Sequence, residues 1–104
     1  MRSLLTLTFS CILGAGLIAS CKKDQNYTPN CNGAEKTYTL DAKPAIQSNC
    51  VSCHSNYGSY NGVKNDASAI RSAIANGSMP KGKNMSDADK DKVLCWIDAG
   101  APNN

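Results

Sequence analysis

Cys50-Val51-Ser52-Cys53-His54 places two thiols and an imidazole within five residues near the middle of a 104-residue chain. Three chemistries use such a cluster: a structural zinc site, a thiol–disulfide exchanger, or a covalently attached haem. Each makes a different demand on the rest of the sequence, so the surroundings of the pentapeptide decide both its chemistry and the fold.

Zinc needs four Cys or His ligands, in paired spacings when the site is structural. Only Cys31 or Cys95 is left as a fourth ligand, neither lies in a second knuckle, and His54 is the only His. An exchanger needs Cys-x-x-Cys at a helix start inside a βαβ pattern. No strand-like alternation occurs here, and a helical pattern precedes the motif instead of following it. Haem fits the spacing. Thiols two residues apart reach the two vinyl groups on one porphyrin edge, and the next residue brings its imidazole to the iron.

The N-terminus supplies an address. Arg2 precedes an apolar stretch, Leu4 to Ile18, which has the length and flanks of an export signal. Ile18-Ala19-Ser20-Cys21 resembles a bacterial lipobox, which implies cleavage after residue 20 and lipid on Cys21. The expected mature chain is exported and anchored to a bacterial membrane, facing the periplasm or the cell surface. Residues 21–37 read as a polar tether and 38–104 as the folded domain. Losing Arg2 leaves a net charge one unit below the +3 of the whole chain, with Lys and Asp interspersed, so nothing points to nucleic acid. Export also opens an oxidising compartment to the remaining cysteines.

Beyond the signal there is one Trp and no Phe, a thin supply for a core. A domain this small is marginal without a disulfide, a metal or a bulky cofactor. Asp41 is the expected cap of a first helix through Ala42, Ala45 and Ile46, which runs into Cys50, with Pro44 in its first turn. Residues 54–65 read as a loop in which Tyr60 and Val63 face inward. Asp66 opens a helix with Ile70, Ala73 and Ile74 on one face, closed by Asn76-Gly77. Ser86 caps the last helix, with Asp89 as the partner in a capping box and Val93, Trp96 and Ile97 as its apolar stripe, ending at Gly100. The expected fold is all-α, with about three to four short helices.

With a single His, the second axial ligand of an attached iron falls to Met, Lys, water or an open position. Met79 and Met85 are the Met candidates in the mature chain. Pro80 restricts the backbone of Met79 to an extended form suited to presenting a side chain, whereas Met85 precedes the Ser86 cap, where an apolar residue packs on the helix start. Met79 is the expected ligand and Met85 the alternative.

On these residues, residues 38–103 resemble a class I monohaem c-type cytochrome domain. The likeness rests on Cys50-Val51-Ser52-Cys53-His54, on Met79-Pro80, and on a capped last helix with Trp96-Ile97 followed by Gly100-Ala101-Pro102. The chain departs from the family in carrying Met85 where Leu is commoner and Asp89 for Glu. The resemblance implies one covalent haem c, with thioethers from Cys50 and Cys53 and iron ligands His54 and Met79. It implies a pocket that includes Tyr60, Ile70, Trp96 and Ile97, a first helix crossing the last, and a Cys31–Cys95 bridge between segments this fold brings together. The function implied is one-electron transfer between redox proteins that dock transiently, without catalysis by the chain itself. The alternatives are a haem protein with an open sixth position that binds a gas or peroxide, and a haem subunit of a larger oxidoreductase.

Overall fold

The computed structural model describes residues 26–104; the stretch expected as an export signal and Cys21 lie outside the described residues. The chain forms a small all-α globule, with no strand among the described residues. A π-helical turn, Tyr38–Ala42, leads directly into α1 (Lys43–Asn49), which runs to Cys50. A 3₁₀ turn at Ser55–Gly58 precedes α2 (Tyr60–Asn65) and α3 (Ala67–Ala75), and α4 (Asp87–Asp98) closes the fold. No described helix is long and apolar enough to cross a membrane.

Thr37, not Asp41, caps the first helix. The Thr37 hydroxyl accepts from the Leu40 amide (3.1 Å) while Asp41 reaches back to the Thr37 N–H (2.8 Å), so Asp41 supplies the return half of the cap. Proximity to the chain end adds to it: Asn104 accepts from the Tyr38 and Thr39 amides, each at 2.9 Å. At α4 the Ser86 hydroxyl accepts from the Asp89 amide as expected (3.1 Å). The Asp89 carboxylate does not return; it accepts from Asn49 Nδ2 (3.2 Å), joining α4 to the end of α1. Gly100, at φ +103°, adopts the left-handed backbone that ends α4.

The segment expected to be a loop, 54–65, is partly helical. The Ser59 hydroxyl caps α2 by accepting from the Gly62 amide (3.1 Å). Gly62 is required there, because a Cβ at this position would collide with the Asn56 carbonyl. Val63 is fully buried, in keeping with its inward placement.

The core lies between the first and last helices. Tyr38, Tyr60 and Trp96 form an aromatic cluster with centroid separations of 5.2, 5.4 and 6.3 Å. Two of the three anchor their polar atoms on the chain after α4: the Tyr60 hydroxyl donates to Ala101 O (2.8 Å) and Trp96 Nε1 to Pro102 O (2.9 Å). Ile46, Val93 and Leu94 fill the space around them. Arg71 on α3 makes a bidentate pair with Asp98 on α4, at 2.6 and 2.9 Å. The guanidinium lowers the Asp98 pKa, but both side chains are more than a third exposed, so the pair contributes no more than about 1 kcal/mol.

The polar segment expected as a tether is fixed to the domain from Tyr27 onward. The Tyr27 amide donates to Ala75 O (2.7 Å), its hydroxyl donates to Asp91 Oδ1 (2.8 Å), and the Asn30 amide donates to the same oxygen (3.0 Å). Lys90 lies over the Tyr27 ring at 4.7 Å. A Cys31–Cys95 disulfide then locks this strap to α4. The hydrogen bond to Asp91 pushes the Tyr27 pKa up to about 12. Because the folded value lies above the ordinary 10.0, the contact favours the docked strap fully below pH 10 and is lost as pH rises through about 12. In a spectrophotometric titration one tyrosine is expected near pH 12, returning toward 10 in Asp91→Asn; an unchanged high titration in that variant would refute the contact.

Candidate functional site

A cleft of about 330 Å³ opens beside the end of α1 and is closed on its far wall by α3. Four chemistry-bearing residues meet along it: Cys50, Cys53, His54 and Met79. Each is placed by a different local cause.

Cys50 ends α1, its amide still donating to Ile46 O (2.8 Å). The chain then doubles back in a tight turn, with the Cys53 and His54 amides donating to Cys50 O at 3.2 and 2.9 Å. This turn sets both cysteines and the imidazole on one lip of the cleft. Cys50 is half-buried and Cys53 exposed, and both thiols are free. The His54 ring stacks on Tyr57, with centroids 5.0 Å apart and planes inclined by 24°. Tyr57 is held in turn by its hydroxyl, which donates to Asp66 Oδ2 (3.0 Å).

Met79 reaches the cleft from the loop after α3. Gly77, at φ +83°, turns the chain out of the helix, and the Met79 amide donates back to Ala73 O (3.2 Å). Pro80 continues the cleft wall beside it. The farther part of this loop is tied across the cleft by Lys83, whose ammonium donates to Ser48 O (2.8 Å). The apolar floor comes from Ala69, Ile70, Ala73 and Ile74, one face of α3.

Of the remaining pocket candidates, only Ile70 lines the cleft. Tyr60 and Trp96 lie instead in the aromatic core, and Ile97 packs against the edge of that core. Met85, 4% exposed, is in the core rather than on the cleft, so Met79 is the thioether that faces it. Tyr57 was missed. Its spacing of three residues from His54 was the available signal, hidden because the 3₁₀ turn that makes them neighbours was read as a loop.

Burial pushes the Cys50 thiol up, against a smaller opposing pull from Lys83. An exchange cysteine needs the reverse, a thiol stabilised as thiolate. Cys50, Cys53 and His54 do not close on a common point, and among the described residues no three His, Cys, Asp or Glu side chains do so. What the arrangement offers is an apolar slot with two thiols on one lip, an imidazole beside them and a thioether from another loop. That donor set and slot fit a covalently attached haem, and the volume falls within the roughly 300–1,000 Å³ usual for cofactor clefts. Lys81 and Lys83 are the charged lining residues, and no carboxylate lines the cleft.

No protein-family model, curated protein or solved structure matches the chain.

Proposed function

We propose that this protein is an extracytoplasmic, lipid-anchored carrier of single electrons, with a cytochrome c-like fold around one covalent haem held by His54 and Met79. The observation that carries this reading is the convergence of Cys50, Cys53, His54 and Met79 on one apolar cleft. When bound, the haem supplies a one-electron Fe(III)/Fe(II) couple.

The chain's own residues hold and tune that couple. Cys50 and Cys53 would fasten the ring edge, and His54 and Met79 would supply the iron ligands. A thioether ligand favours the lower oxidation state. The apolar face of α3 excludes water and disfavours the extra positive charge of Fe(III), and the ammonium groups of Lys81 and Lys83 act in the same direction. Tyr57, anchored by Asp66, restricts rotation of the His54 ring. Cys53 is exposed at the lip, so an attached ring would meet solvent there and a partner would dock on that side.

The two methionines are separable. Met79→Ala is expected to abolish the long-wavelength absorption band of iron–thioether ligation, to let the reduced protein bind CO rapidly, and to lower the potential. Met85→Ala is expected to keep the band and the CO resistance while losing about 2–5 kcal/mol of stability, as for a large-to-small change in the core. A band that survives Met79→Ala and disappears in Met85→Ala would transfer the ligand role to Met85. Rapid CO binding by the unaltered protein would favour a gas or peroxide binder with an open sixth position.

A further inference from the structure

Asn-Gly occurs at three places in the chain: Asn32-Gly33, Asn61-Gly62 and Asn76-Gly77. This pair is open to self-attack, because glycine has no side chain to keep its backbone nitrogen away from the preceding carboxamide. The attack needs a Gly amide that is not engaged elsewhere, and a backbone free to bring that nitrogen onto the Asn Cγ. The fold treats the three pairs differently.

At Asn61 the Gly62 amide is taken. It donates to the Ser59 hydroxyl (3.1 Å), and both residues of the pair lie within α2. Gly62 has no room even for a Cβ beside the Asn56 carbonyl, so its backbone cannot swing. At Asn76 both reacting groups are engaged. The Gly77 amide donates to Ile74 O (3.2 Å), and the Asn76 side-chain oxygen accepts from the Ser78 amide (2.8 Å), the two-residue turn that Asn favours.

Asn32 has neither protection. Among the described residues the Asn32 carboxamide and the Gly33 amide make no hydrogen bond; only the Asn32 backbone amide is held, donating to Asn30 Oδ1 (3.1 Å). Residues Asn32 to Glu35 are all exposed, and the space around Gly33 is open.

From this contrast we infer that Asn32 is a self-modification site, which turns to aspartate or isoaspartate through a succinimide while the fold spares Asn61 and Asn76. The Gly33 nitrogen attacks Asn32 Cγ. The new C–N bond closes the ring as the Cγ–Nδ2 bond breaks, the Gly33 amide proton leaves with the nitrogen as ammonia, and water opens the ring. Nothing is oxidised or reduced, and water is the sole co-reactant. The product has a carboxylate in place of a neutral amide, which lowers the net charge by one. Opening at the Asn32 main-chain carbonyl also adds one methylene to the backbone. That extra length falls between two fixed points, the Cys31–Cys95 disulfide and the Thr37 cap, so neither α1 nor the cleft has to move. The site is independent of what the cleft holds.

The test uses the full-length exported protein, kept warm at mildly alkaline pH, either folded or unfolded in guanidinium chloride with a reductant. Peptide mass mapping follows each Asn against an unaged sample digested in the same way. In the folded protein Asn32 is expected to convert at least about tenfold faster than Asn61 and Asn76, because the contacts protecting those two must open first. In the unfolded chain the three rates are expected to come within about threefold of one another, since local opening is no longer required. Asn32→Gln is expected to remove the acidic form that isoelectric focusing finds accumulating in the folded protein, because the longer side chain closes its ring far more slowly. Conversion of Asn61 or Asn76 as fast as Asn32 in the folded protein would overturn the inference. So would a preference for Asn32 that persists unchanged in denaturant, or an Asn32 that stays intact when folded and reacts when unfolded.

Discussion

Cys50→Ala/Cys53→Ala protein is expected to carry no haem that survives denaturing electrophoresis and to lose most of its stability. In the proposed reading the first result follows from chemistry, since neither residue could then bond to the ring and the axial contacts of His54 and Met79 alone would not hold it under denaturant. The second follows from packing. Without the ring the apolar face of α3 is bared to water, a loss of buried contacts at least comparable to the roughly 3–5 kcal/mol of removing one buried aromatic side chain. About 4 kcal/mol corresponds to a drop of roughly 16–30 °C in Tm for a domain of this length. The core has little in reserve, with Trp96, Tyr38 and Tyr60 as its large aromatic cluster. Circular dichroism melting and haem staining check both halves. A variant that melts within a few degrees of the parent would show that the cleft does not depend on a bound group.

The second large effect lies at the disulfide. Cys31→Ser/Cys95→Ser is expected to lose about 4 kcal/mol, because the bridge closes a 64-residue span and removes that much loop entropy from the unfolded chain. The corresponding fall in Tm is again roughly 16–30 °C. The haem spectrum is expected to be unchanged, since Cys95 is on α4 and Cys31 on the strap, both outside the cleft lining. Thermal melting with and without a reductant gives the same comparison without mutation. A small change in Tm, or two thiols that alkylate in the native exported protein, would remove the bridge from the account.

Local chemistry was legible in the sequence. Cys50, Cys53 and His54 form their turn among themselves, so their spacing alone described one lip of the cleft. Met79 was legible because its surroundings are also local: a helix end at Gly77, then a short loop tied back to Ala73. The helix starts were half legible. Thr37 and Asp41 both have capping side chains, and the choice between them depended on the Tyr38 and Thr39 amides finding Asn104 at the far end of the chain.

What required the fold was direction. An apolar residue at helical spacing announces burial without saying which of two apolar volumes receives it. Ile70 faces the cleft, whereas Tyr60, Trp96 and Ile97 face the core behind it. The docked strap was illegible for a related reason. Its composition is that of a linker, and its attachment depends on single long-range partners, Tyr27 with Asp91 and Cys31 with Cys95. α2 was hidden because Gly58 and Gly62 read as loop residues, although Gly62 is there to admit the Asn56 carbonyl.

The central claim is that Cys50 and Cys53 are spent on one haem. Intact-mass measurement of the exported protein under denaturing conditions, after treatment with an alkylating reagent, tests it most directly. The account predicts the chain plus one haem, with both Cys50 and Cys53 unalkylated. A mass for the chain without haem, with alkyl groups on both of these thiols, would contradict it.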